Sequence, residues 1–137
     1  MLFYIKNTMF VIILLSIFET IENTESAVLY APDIISATDV NNIQIINNSI
    51  TSSPSITFEF LKADSNQDSI QKNSILSCYL DETIVKFPCK SPLSFNNLNL
   101  GYHKFTIYNI FIVDINSTGT INSTISSNPI TFIWNIH

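Results

Sequence analysis

Few side chains in this sequence can do chemistry, and their types and spacing narrow what that chemistry is. Cys78 and Cys89 are its two cysteines. In a secreted chain such a pair defaults to a single disulfide, whereas a redox-active pair is usually spaced Cys-x-x-Cys and a metal site needs further ligands. His103 and His137 are the only imidazoles, so a hydrolytic triad has almost no base to draw on. Most of the carboxylates, Asp33, Asp39, Asp64, Asp68 and Asp114 among them, lie in turn-like stretches, where aspartate caps or turns the backbone. Asp81-Glu82 is an acidic doublet without the other oxygen ligands that calcium requires. Gly101 and Gly119 are the only glycines, which excludes a glycine-rich phosphate loop. The expectation is a non-enzymatic protein with no catalytic residues, no cofactor and no bound metal. The remaining reactive positions are Asn-x-Ser/Thr sequons at Asn47, Asn116 and Asn122, with Asn128 excluded by Pro129. They are candidate glycosylation sites if the host is a eukaryote.

Position along the chain sets the compartment in which those groups would work. Lys6 is followed by an apolar run from Met9 to Phe18, about ten residues long, which suits a signal-peptide core and is too short for a bilayer span of about 20. Small residues at Thr24, Ser26 and Ala27 place cleavage after Ser26 or Ala27. The alternative, an uncleaved anchor reaching back through Leu2 to Ile5, would put Lys6 and Asn7 inside the span. Residues 1–26 are therefore read as a signal peptide and residues 27–137 as one domain, with no membrane span after cleavage and a location that is secreted or on the extracellular surface. That domain carries five lysines, no arginine, six aspartates and two glutamates, a net charge of −3. Without arginine or clustered lysine it is not expected to bind nucleic acid. Its polarity rests on Ser, Thr and Asn, so attached sugar would assist solubility.

Hydrophobic periodicity supplies the elements that position these groups. Ile56-Thr-Phe58-Glu-Phe60, Leu76-Ser-Cys78-Tyr-Leu80 and Ile130-Thr-Phe132-Ile-Trp134-Asn-Ile136 alternate with period two, the pattern of strands with one core-facing side. Tyr102 to Val113 predicts the longest strand, and Ala31 to Ile50 a looser first one to which Ile34, Ile43 and Ile45 contribute. Asn116 to Asn128 reads as a polar loop. Helices are not expected, because β-branched residues abound and no 3.6-residue stripe is present.

In order along the chain stand Leu76-Ser-Cys78-Tyr-Leu80-Asp81, Cys89-Lys-Ser91-Pro92, Leu98-Asn-Leu-Gly101-Tyr-His103-Lys-Phe105, Pro129 and Trp134. This set resembles an immunoglobulin-like module common in large extracellular and surface proteins, over roughly residues 33–137. The resemblance implies an all-β, immunoglobulin-like two-sheet sandwich of about seven strands. In it Gly101 turns the chain into the long strand, and Trp134, Phe58, Phe60, Leu76, Leu80, Phe105 and Phe132 pack around the bridge. His103 would have a structural role, hydrogen-bonded to nearby backbone. The implied function is a non-enzymatic structural or interaction module of the adhesion type, with an extracellular protein or glycan as partner. A free-standing secreted ligand-binding or inhibitory protein is the alternative. Two departures from the family pattern stand out. Glu82 replaces the usual turn glycine, which predicts a turn wider than a two-residue hairpin, and a longer interval between His103 and Asp114 leaves the register of Tyr108 to Ile112 open.

Overall fold

A computed structural model describes residues 28–63 and 69–137. The expected signal peptide lies outside these residues. The described chain is built almost wholly of strands: β1 (Asp33–Thr38), β2 (Ser49–Thr51), β3 (Ile56–Leu61), β4 (Ile75–Leu80), β5 (Thr83–Lys86), β6 (Leu93–Phe95), β7 (Gly101–Ile115), β8 (Ile121–Ser126) and β9 (Ile130–Ile136). One short helix, α1 (Ser69–Asn73), joins β3 to β4. One sheet has the order β1-β3-β6; the other runs β2-β9-β7-β4-β5, with β8 also paired to β7. All pairings are antiparallel except β2 with β9.

Alternation in the sequence becomes alternation in burial. In β3, Ile56, Phe58 and Phe60 are buried while Glu59 and Leu61 face solvent, and β9 buries Phe132, Trp134 and Ile136. Along β7 the odd positions His103, Phe105, Ile107 and Asn109 point inward. The apolar faces of the two sheets meet around Phe58, which stacks on Phe105 at 4.2 Å between ring centroids and makes edge contacts with Phe95, Phe132 and Trp134. Offset and edge arrangements of this kind suit the ring quadrupoles and add to the burial term. Leu80 packs against the same cluster.

The bridge forms between Cys78 and Cys89, with Cα atoms 5.8 Å apart and both residues buried. Its surroundings differ from the sequence expectation in one respect. Leu80 pairs with Thr83, so Asp81-Glu82 is itself the two-residue turn, with φ of 50° and 67°. Two consecutive left-handed residues match the twist of the flanking strands, as in a type I′ turn, and this geometry overrides the absence of glycine at position 82. Gly101 enters β7 at φ 115°, a region that strains any residue with a side chain.

The strand count among the described residues is nine rather than about seven. The looser first strand divides into β1 and β2, with buried Ile45 between them and Ile43 exposed. Within the expected polar loop, β8 pairs with the end of β7, from Ile110 opposite Ser126 to Ile115 opposite Ile121. β7 therefore runs without a break through Tyr108 to Ile112, changing partner along one edge from β9, which ends at Ile107 opposite Ile130, to β8. Asn109 and Ser127 make the change possible. Asn109 N–H donates to Ser127 Oγ at 2.9 Å, and Ser127 N–H donates to the Asn109 carbonyl at 2.8 Å, while Asn109 Nδ2 reaches the Tyr30 carbonyl at 3.3 Å. Backbone groups that the interrupted ladder would leave buried are satisfied by this exchange.

Candidate functional site

The side chains of β4, β7 and β9 that do not face the core define the site. With the odd residues of β7 buried, Tyr102, Lys104, Thr106, Tyr108 and Ile110 fall on the outer face of the six-stranded sheet, beside Tyr79 of β4 and Ile133 of β9, which pairs with Lys104. Tyr79 and Tyr108 stand on neighbouring strands, edge to face with 5.7 Å between centroids, and both are half-buried. They line a concavity of about 390 Å³ together with Glu82, Lys104, Thr106, Ile110 and Ser126. Lys104 Nζ donates to Glu82 Oε1 at 2.9 Å, so the two charges at this rim compensate each other. Across that pair a second, more open concavity of about 500 Å³ is lined by Asp81, Glu82, Tyr102, His103, Lys104 and Ile133.

The floor of the second concavity is held by a charged network. His103 Nδ1 lies 2.8 Å from Asp81 Oδ2 and Nε2 lies 2.7 Å from the Asn99 carbonyl. Both partners are acceptors, so both ring nitrogens donate only when the imidazole is protonated. Burial pulls the His103 pKa down, but the hydrogen bond to the Asn99 carbonyl and the hydrogen bond and charge of Asp81 outweigh it, leaving the pKa above its ordinary 6.5. Asp81 Oδ1 also accepts from Lys104 N–H at 2.8 Å. One carboxylate thus ties the turn to the first residues of β7. Trp134 covers the imidazole, with ring centroids 5.5 Å apart. The backbone contact expected of His103 is present; the Asp81 contact was not foreseen.

The residues singled out in the sequence fall in three separate places. Cys78 and Cys89 lie in the core. Asn47 is exposed, and its Oδ1 accepts from Ile133 N–H at 2.8 Å. Asn116 and Asn122 are exposed on the ribbon formed by β7 and β8. Among the described residues no three His, Cys, Asp or Glu side chains converge as metal ligands, and no helix is long and apolar enough to cross a membrane. Sequence reasoning passed over Tyr79 and Tyr108. The available signal was parity, since each tyrosine occupies the solvent-facing register of a strand whose other register is core.

In comparison with known proteins, the chain matches no family model, no curated protein and no solved structure. What the molecule can do therefore rests on its own geometry.

Proposed function

We propose that this protein is a secreted or cell-surface, immunoglobulin-like interaction module that binds an extracellular protein or glycan through the outer face of its six-stranded sheet. The fold assignment is supported by strand order. A β1-β3-β6 sheet packed on β2-β9-β7-β4-β5 corresponds to the A-B-E and A′-G-F-C-C′ arrangement of immunoglobulin-like sandwiches. The buried disulfide is compatible with an oxidising extracellular location.

The observation that carries the binding reading is the Tyr79–Tyr108 pair beside the neutralised Lys104–Glu82 rim. Tyrosine gives a large contact area for two side-chain torsions and is enriched at binding hot spots. A paired charge at the rim costs less to desolvate on contact than an unpaired one would. The oxidised, secreted protein is tested against immobilised glycans and extracellular proteins, alongside the variant Tyr79→Ala/Tyr108→Ala. A binder whose affinity falls at least tenfold in the variant, with unchanged circular dichroism, supports the assignment. Binding that is indifferent to both tyrosines overturns it.

A further inference from the structure

The ribbon made by the far end of β7 and by β8 is the part of the molecule that the binding reading leaves unused. β8 pairs with β7 alone among the described strands, so its other edge presents unpaired backbone groups. All of β8 but Ile125 is exposed, and Val113 and Ile115 on the partner strand are 54% and 55% exposed. Such an edge is a template for another strand, and proteins usually blunt it with lysine, proline, inward charge or bulges, of which this ribbon has only the register shifts on either side of Asp114. Here Asp114 is the only charged residue between Phe105 and Ile136, and neither lysine nor proline occurs between Phe111 and Ser126.

Two of the three sequons lie on this ribbon. Asn116 opens its turn: Gly119 N–H donates to the Asn116 carbonyl at 3.0 Å, Asn116 N–H donates to Thr120 O at 2.9 Å, and Gly119 takes φ 84°. This is a type I turn closed by a glycine bulge. Asn116 Oδ1 is occupied, accepting from Thr118 N–H, Thr118 Oγ1 and Thr120 N–H at 3.1, 2.7 and 2.8 Å. Its Nδ2 has no partner among the described residues. Asn122 sits within β8, where Nδ2 donates one long bond of 3.3 Å to Asp114 Oδ2, which leaves a second N–H for substitution.

We propose that the β7–β8 ribbon is a latent strand-pairing edge for a second copy of this chain, kept single by N-linked glycans on Asn116 and Asn122. The inference rests on the secreted reading above. Attachment uses a lipid-linked diphosphate oligosaccharide: Asn Nδ2 forms a bond to the anomeric carbon, the anomeric C–O bond to the lipid diphosphate breaks, and Nδ2 gives up one proton. A second copy is the fitting occupant because antiparallel pairing of a strand with its own copy is self-complementary about a two-fold axis. With a single carboxylate on the ribbon, charge repulsion opposes it weakly.

Three forms of the chain are secreted from a eukaryotic cell line and examined by intact mass and light scattering. The unaltered chain is expected to carry sugar at both asparagines and to be monomeric. Thr118→Ala/Thr124→Ala removes both sequons, keeps both asparagines and is expected to double the mass in solution. Thr118→Ala/Thr124→Lys removes the same sequons but adds a charge to the strand edge, and is expected to stay monomeric. A monomeric Thr118→Ala/Thr124→Ala form, a dimeric Thr118→Ala/Thr124→Lys form, or an unaltered chain that is monomeric without these sugars overturns the proposal. None of these outcomes bears on the Tyr79–Tyr108 face. Retention of the chain inside the cell would instead refute the secreted reading.

Discussion

Stability of this protein is expected to fall as pH rises past neutrality, and His103 is the cause. Its two ring nitrogens face two acceptors, Asp81 Oδ2 at 2.8 Å and the Asn99 carbonyl at 2.7 Å, so the protonated ring makes two charge-assisted bonds. A neutral ring keeps one and sets a lone pair against an oxygen at the other. Hydrogen bonds to charged groups contribute about 1.5–3 kcal/mol. Since the Asp81 side chain is 45% exposed, solvent screening reduces this, and the expected loss is about 1–2 kcal/mol. The sign follows from the raised folded-state pKa: the contribution is fully present below the unfolded value of about 6.5 and disappears as pH rises through the folded value. Urea unfolding between about pH 6 and about pH 9 should show the midpoint dropping by roughly 1 M, given slopes near 1–3 kcal/mol/M. His103→Gln should lack this drop, and the difference between the two proteins isolates the contribution of His103. Nitrogen chemical shifts of the imidazole should show both nitrogens protonated near pH 6.5. A wild-type midpoint that holds or rises over the window, an equal slope in His103→Gln, or a neutral tautomer at pH 6.5 would refute the reasoning.

Two further outcomes follow from the same hairpin. Cys78 and Cys89 close a short loop, with a sequence separation of 11, and Cys78→Ala/Cys89→Ala should lower the unfolding free energy in urea by about 2.5–3 kcal/mol from loop-closure entropy; a change below about 1 kcal/mol would count against that account. Glu82 holds φ 67° at a cost of about 1–2 kcal/mol for a left-handed residue, against a surface pair with Lys104 worth about 0–1 kcal/mol. Glu82→Gly should therefore stabilise the protein by about 0.5–1 kcal/mol, seen as a higher Tm, and a lower Tm would show that the ion pair outweighs the backbone strain.

Where one side of a strand is buried, the sequence was readable. Ile56 to Phe60, Leu76 to Leu80 and Ile130 to Ile136 fall within one residue of the strands observed, because burial imposes an apolar residue at every second position. β8 leaves no such signal for the converse reason: nearly all of it faces solvent, so nothing enforces alternation, and Ile121-Asn-Ser-Thr-Ile125 carries too few apolar residues to signal pairing. The three-residue strands β2 and β6 are too short for any period to register. The turn at Asp81-Glu82 is tighter than its residues suggest because its conformation is imposed by the ladder on either side and by the Asp81 bonds to His103 and Lys104, contacts 22 and 23 residues away in sequence. The outer-face tyrosines were visible as residues but not as a pair, since the register between β4 and β7 decides that they meet.

That register also explains why the hairpin bordering the site needs both a covalent and a charged constraint. All four residues of β5 are exposed, so the strand buries no side chain and the hydrophobic effect does little to hold it. What fixes it is the ladder to β4, the bridge just beyond its far end, and the Asp81–His103 contact at its turn. Glu82 and Tyr79, which shape one wall of the concavity, belong to this hairpin. Core packing around Phe58 therefore sets how stable the two sheets are, while the bridge and the Asp81–His103 contact set where the rim of the outer face stands. The constraints differ in place: Asp81 and Glu82 are exposed at the turn, whereas Cys78 and Cys89 are buried in the same cluster as Phe58. A change confined to the exposed turn therefore alters the shape of the outer face while leaving the aromatic stack between the sheets in place.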